Sequence, residues 1–209
     1  MGRKRKGLSS KEDVLNAQEL AMLIGACRGI RDSFIISCLT FCGLRVSELA
    51  HLKRSWVNIE DATITIPERQ YCSCWECNYV NPKTGKCKEG IWKPKTKKGA
   101  RTVLMGSKIL PIINQFLLGS DGLNLTRQRI WQRVKELAKD ARILHNVYPH
   151  CLRATAATRL AYKNISAASL KYVMGWEKLE AADAYVKSDM KLAHKEIREI
   201  ESKDLTADT

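Results

Sequence analysis

Three groups of residues in this 209-residue chain have types and spacings suited to chemistry. The run Gly43-Leu-Arg-Val-Ser-Glu-Leu49 sets Arg45 at the start of a helical pattern, with Glu48 three residues on and able to orient it. His150-Cys-Leu-Arg153 puts an imidazole and a second guanidinium at i, i+3, on one helical face, where both can reach one phosphate. A guanidinium suits phosphate because its planar fork donates two hydrogen bonds, and an imidazole beside it supplies an acid or a base. Metal-free cleavage of a phosphodiester also needs a nucleophile and an acid for the leaving oxygen. Six tyrosines are present, among them Tyr162, Tyr172 and Tyr185 on helical segments, and the lysines Lys93, Lys95, Lys97 and Lys98 crowd one turn. Taken singly, Arg45 with Glu48 also fits a surface salt bridge, and His150 with Arg153 an ordinary helix end.

The third group is cysteine. Cys72-Ser-Cys-Trp-Glu-Cys77 and Cys87, ten residues further, form C-x-C-x2-C-x9-C, a crowding of thiols that suits tetrahedral Zn²⁺. Pro82-Lys-Thr-Gly85 is a turn able to bring Cys87 back to the others. Four Cys ligands leave no open position for water, so such a zinc is structural; free thiols or a redox pair are the alternative. Cys27, Cys38, Cys42 and Cys151 lie among apolar or helical residues and are expected as small buried hydrophobes.

The elements that must position these groups are mostly helical. Apolar residues recur at helical spacing from Ala17 to Phe41, with Gly29 dividing two helices, and a third helix starts near Arg45. Ala62-Thr-Ile-Thr-Ile-Pro67 alternates as a half-buried strand does, and Gly90 to Lys93 and Arg101 to Met105 read as further strands around the cation-rich turn Lys95-Thr-Lys-Lys-Gly99. Helices follow at Ile109 to Leu118, Thr126 to Ala141, His150 to Tyr162, Ser166 to Met174, Leu179 to Lys187 and Met190 to Ile200. The expected class is mainly α with a small antiparallel β-sheet (α+β). Residues 1–12 are expected as a basic flexible arm, 13–189 as one domain with a Cys-rich insertion at 71–89, and 190–209 as a C-terminal helix and tail.

Lys and Arg total 36 against 22 Asp and Glu, a net charge of +14. With a pI near 9.5, a polyanion is the first partner to expect, a basic surface kept for solubility being the bland alternative. No stretch approaches the roughly 18 apolar residues of a membrane span, and Met1 to Lys6 lead into no apolar signal core. The expected location is therefore cytoplasmic or nucleoid-associated.

Gly43-Leu-Arg-Val-Ser-Glu-Leu49, His150-x-x-Arg153, and Met174-Gly-Trp176 with Tyr185 nine residues later occur in the order and rough spacing of tyrosine recombinases, the phage-type integrases. The chain resembles that family from about Ala17 to Lys187, over three separated motifs. The resemblance implies the family's catalytic-domain fold, that of DNA breaking-rejoining enzymes, with double-stranded DNA as partner. It implies that Arg45 and Arg153 bind the scissile phosphate, that His150 serves as acid or base, and that Tyr185 attacks to give a 3′-phosphotyrosyl link without ATP or a catalytic metal. Trp176 stands where relatives have His or Trp, donating its indole N–H to phosphate or serving as a core residue. A hairpin lysine protonates the leaving oxygen in relatives. Lys95 is assigned here because Pro94-Lys-Thr followed by Arg101-Thr-Val resembles that hairpin, in a turn about one residue longer, with Lys93, Lys97 and Lys98 as competitors.

Two features depart from the family pattern or extend it. Relatives often carry an N-terminal helical domain that closes around DNA, for which there is no room before Ala17, so an excised domain or a minimal recombinase is expected. The segment Lys191 to Ile200 resembles the helix that relatives dock onto a neighbour within a tetramer. The function implied is site-specific strand exchange, as in integration or excision of a virus or other mobile element, or resolution of chromosome dimers. A non-catalytic zinc-containing DNA-binding module and a type IB topoisomerase-like enzyme are the alternatives.

Overall fold

The computed structural model describes residues 14–85 and 89–186. The expected basic arm at 1–12, the candidate ligand Cys87 and the expected C-terminal helix at 190–209 lie outside the described residues.

Helix α1 (Ala17–Gly25) opens with a capping box, in which the Asn16 side chain accepts from the Glu19 amide and the Glu19 carboxylate accepts from the Asn16 amide. Helix α2 (Ile30–Thr40) is apolar on nearly every side, with Phe34, Ile35, Ile36, Cys38 and Leu39 buried. Such a helix belongs at the centre of a bundle. It packs against α5 (Leu110–Leu118) and α7 (Pro149–Ala161). The amphipathic α6 (Arg127–Asp140) turns Ile130, Val134 and Leu137 inward. Arg133 on α6 forms a bidentate pair with Asp32 on α2, at 2.6 and 2.8 Å. Cys38, Cys42 and Cys151 are buried within this bundle, as expected of small hydrophobes.

Short helix α3 (Val46–His51) follows Arg45 directly and packs against α2 and α6. The sheet comes next in the chain. Strands β1 (Val57–Asn58), β2 (Thr63–Ile66) and β5 (Arg101–Leu104) form an antiparallel sheet in the order β1-β2-β5, with Ile64 opposite Val103 and Ile66 opposite Arg101. The alternation read in the sequence is present: Ile64 and Ile66 are buried, and Thr65 meets Thr102 across the outer face.

The strands divide into two sheets, which alternation alone does not specify. Strand β4 (Ile91–Trp92) pairs with β3 (Gln70–Tyr71) rather than with β5. The lysine turn therefore links two sheets and does not close a hairpin between β4 and β5. Helix α4 (Trp75–Asn78) sits inside the cysteine segment between β3 and β4.

Helix α8 (Ala167–Met174) runs from a Ser166 cap to Gly175, whose left-handed φ of +58° ends it. The last described helix, α9 (Glu180–Asp183), is shorter than the expected Leu179 to Lys187, and Tyr185 lies in the turn after it. Met174, Leu170, Ala157 and Ala182 form a second small core, against which Trp176 and Tyr185 pack.

Candidate active site and adjoining His/Cys cluster

The centre of the site is a carboxylate. Glu48, on α3, has a fully buried side chain and accepts from Arg45 Nη1 at 2.8 Å and from both Nη atoms of Arg101 at 2.9 and 3.1 Å. It also accepts from the Arg45 backbone N–H at 2.7 Å, so one side chain both caps the helix and orients the guanidinium. Arg153 Nη1 is 4.0 Å from Oε2, the oxygen that accepts the Arg45 N–H. Burial works to raise the Glu48 carboxyl, but Arg101, Arg153 and Arg45 overcome it and hold the group down at about 2. Glu48 is thus a permanent anion among three permanent cations.

The same three arginines converge on the end of α8. Arg101 Nε donates to the Val173 carbonyl at 2.6 Å, Arg153 Nη2 donates to the Met174 carbonyl, and Arg45 Nη2 donates to the Gly175 carbonyl at 2.7 Å. A helix C-terminus carries carbonyls without intrahelical partners and a partial negative charge, so cations belong there. Arg153 Nη1 donates in addition to the Gly43 carbonyl, which joins α7 to the turn before Arg45. Gly175 has no room for a side chain, since a Cβ there would lie 2.8 Å from the Lys98 carbonyl and 3.0 Å from Arg101 Nη1. Gly175 is therefore a packing requirement of the arginine centre.

The remaining predicted residues face this centre. His150 and Arg153 share the first turns of α7, the former exposed and the latter buried beneath it. Partial desolvation, then the charges of Arg153, Arg45 and Lys95, lower the His150 imidazole below its ordinary 6.5, so it is neutral at pH 7. Of the turn lysines, Lys95 is thus within electrostatic reach of His150. Burial lowers the Arg153 guanidinium from its ordinary value, with Glu48 and Tyr185 acting in opposition. Trp176 stacks on Tyr185, with ring centroids 5.3 Å apart and planes 16° from parallel. Arg45, Lys95, His150, Arg153, Trp176 and Tyr185 are accordingly brought to one region. Arg101, read from the sequence only as part of a strand, joins them as a buried strut between β5, α3 and α8.

At the other end of α3 a second cluster forms. His51, Cys72, Cys74 and Cys77 present four ligand atoms within 4.8 Å of one another. His51 did not stand out in the sequence. It precedes the first of these cysteines by a whole sheet segment, and only folding brings it to them.

Residues 13–191 match the model of the phage integrase family. Among curated proteins, the chain is 27% identical over 162 residues to tyrosine recombinase XerD of Pseudomonas aeruginosa, covering 75% of this chain and 49% of that protein. It is 24% identical over 186 residues to a tyrosine recombinase of Thermosipho africanus, covering 83% of this chain and 56% of that protein. The chain thus spans about half the length of the curated relatives it matches. Among solved structures it is similar to XerA recombinase, at a TM-score of 0.67 and 20% identity over 98% of this chain and 66% of that one. A Tn1549 transposon integrase bound to transposon right-end DNA aligns at a TM-score of 0.65 and 20% identity, over 93% of this chain and 68% of that one. The catalytic domain of bacteriophage HP1 integrase aligns at a TM-score of 0.57 and 21% identity, over 87% of this chain and 93% of that one.

Proposed function

The chain belongs to the phage integrase family, and from that premise we propose that it breaks and rejoins DNA strands by transesterification, as a site-specific recombinase acting on viral or other mobile DNA or on chromosome dimers. One observation carries the reading: Arg45 and Arg153 converge on Glu48 and on the end of α8, directly before Trp176, whose ring stacks on Tyr185. Arg45 and Arg153 neutralise the phosphate as it becomes pentacoordinate, the charge compensation that other nucleases take from metal ions. Tyr185 Oη attacks phosphorus and the bond to the 5′-oxygen breaks, leaving a 3′-phosphotyrosyl link. Neutral His150 accepts the phenol's proton, and Lys95 protonates the leaving 5′-oxygen. A free phenol, with its pKa near about 10, is a poor nucleophile at neutral pH, so the surrounding cations are needed to favour its anion. Attack by the 5′-hydroxyl of another strand reverses the step and exchanges strands, with bond energy conserved and no ATP required.

Within this reading Trp176 has two roles, donating its indole N–H to the phosphate and fixing the Tyr185 ring. The cysteine cluster holds a structural Zn²⁺ and takes no part at phosphorus. The partner is double-stranded DNA, met by an oligomer of the protein. Among the described residues no helix is long and apolar enough to cross a membrane.

The decisive experiment incubates the protein and Tyr185→Phe with a nicked suicide substrate and separates the products on a denaturing gel. A covalent protein–DNA adduct is expected from the unmodified protein and none from Tyr185→Phe. An adduct of equal yield from both would assign the nucleophile elsewhere, and binding without any adduct would overturn the catalytic reading.

A further inference from the structure

The His/Cys cluster is separate from the arginine centre, yet one of its members, His51, is the last residue of the helix that begins next to Arg45 and lines a cavity with Lys95. His51 Nε2 lies 3.3 Å from Cys74 Sγ and 3.4 Å from Cys77 Sγ. Zn–S bonds of about 2.3 Å and a Zn–N bond of about 2.0 Å at tetrahedral angles set N···S edges near 3.5 Å, which is what the side chains present.

The surroundings are those of a prepared imidazole ligand. His51 Nδ1 sits 2.7 Å from the Ser47 carbonyl, which fixes the proton on Nδ1 and turns the Nε2 lone pair toward the thiols. Trp92 stacks on the ring at 5.3 Å and 22° and holds its plane. Gln70 donates to the His51 carbonyl at 2.9 Å while accepting from Trp56 Nε1. On the cysteine side, the Cys74 N–H points to Cys72 Sγ at 3.4 Å, and the Asn78 side chain donates to the carbonyls of Cys72 and Cys74 at 3.0 and 2.9 Å.

We infer that His51 is the fourth zinc ligand, with Cys72, Cys74 and Cys77, so that the metal fastens the helix of Arg45 and Glu48 to the cysteine segment leading into the Lys95 turn. The inference rests on the reading of the cluster as a zinc centre and adds to it the identity of the ligands and their mechanical role. A six-residue helix is about 9 Å long, so the ion and Arg45 are separated by one rigid turn and a half. On the other side the chain passes from the cluster through β4, where Trp92 touches His51, to Lys95 three residues beyond. One ion therefore sets the distance between a phosphate clamp and the leaving-group acid.

The test loads Co²⁺ and Zn²⁺ into the full chain, His51→Ala, His51→Cys and Cys87→Ser. Cobalt in the unmodified protein is expected to show the visible d–d spectrum of a tetrahedral three-sulfur, one-nitrogen site, shifting to that of four sulfurs in His51→Cys. Zinc affinity should fall more than about a hundredfold in His51→Ala, beyond the 10- to 100-fold loss expected for a residue that only supports a ligand. It should recover in His51→Cys and hold in Cys87→Ser. A four-sulfur spectrum in the unmodified protein, or loss of metal in Cys87→Ser with retention in His51→Ala, would overturn the ligand assignment while leaving the zinc reading intact. Failure of the unmodified protein to bind either metal would remove the zinc reading itself.

Discussion

The two ends of α3 hold clusters built on opposite principles. At the N-terminal end, Glu48 and three guanidinium groups compensate one another inside the chain, and the helix end of α8 absorbs the remaining positive charge. At the C-terminal end stand three thiols and an imidazole, electron donors facing one another. Burial pushes the Cys77 thiol up to about 12, so without a cation that group is neutral. The first cluster is completed by folding alone; the second would become a cross-link if, as inferred above, a cation replaced its protons. A short helix can thus be fixed at one end by fixed charge and at the other by a ligand.

Removing the anion from the first cluster should have the largest effect. Glu48→Gln leaves Arg101 buried without its bidentate partner and Arg153 without its nearest carboxylate, so a loss of about 3–5 kcal/mol is expected from denaturant unfolding. A loss below about 1 kcal/mol would mean that the α8 carbonyls alone satisfy the arginines. Glu48 also contributes stability that is present above its ordinary 4.5 and is lost as pH falls toward its folded value of about 2.

A smaller effect should come from the α8 end. Gly175→Ala forces a side chain into a left-handed residue and against the Lys98 carbonyl, at an expected cost of about 1–3 kcal/mol. Because Trp176 and Tyr185 hang from that turn, adduct formation should fall by a larger factor than DNA affinity, which a parallel gel and filter-binding series would reveal. Equal losses would place Gly175 outside the positioning of Tyr185.

The smallest effect concerns His150. Its pKa is depressed below 6.5, so the unfolded chain takes up this proton first and the stability due to neutral His150, present above pH 6.5, is lost as pH falls through the folded value. Adduct formation should fall on the acid side with a midpoint below pH 6.5, and in His150→Gln this acid limb should flatten at a lower overall rate. An acid limb centred above 6.5 would assign the titration to another group.

Lys95, Trp176 and Tyr185 were picked out only through the resemblance to the family, whereas Arg45, His150 and Arg153 were legible as candidates because each sits in a local run of helical spacing. The helices were legible for the same reason, their apolar period being local. Arg101 was not, because its role depends on strand register: alternation marks it as inward, but only pairing with Ile66 reveals that inward means toward Glu48. The split into two sheets escaped notice because alternation identifies a strand and says nothing of its partner. His51 escaped because a ligand far upstream in the chain has no spacing relation to the cysteines. The end of α9 at Asp183 leaves Tyr185 in a turn where its ring stacks on Trp176, which apolar period alone does not reveal.

The three carbonyls at the end of α8 have a further consequence for how DNA is held. Arg45, Arg101 and Arg153 share a single carboxylate, Glu48, and donate to three peptide carbonyls, so the centre keeps a net positive charge while its donors are held in place before any phosphate arrives. A phosphate seated there would still release counterions condensed on the DNA, but it would meet guanidinium groups that need little reordering. The exposed lysines of the turn, Lys93, Lys95, Lys97 and Lys98, would add phosphate contacts in the proposed complex and steepen its salt dependence. On that reading the α8 carbonyls supply order rather than charge, holding the guanidinium forks where a strand phosphate would meet them.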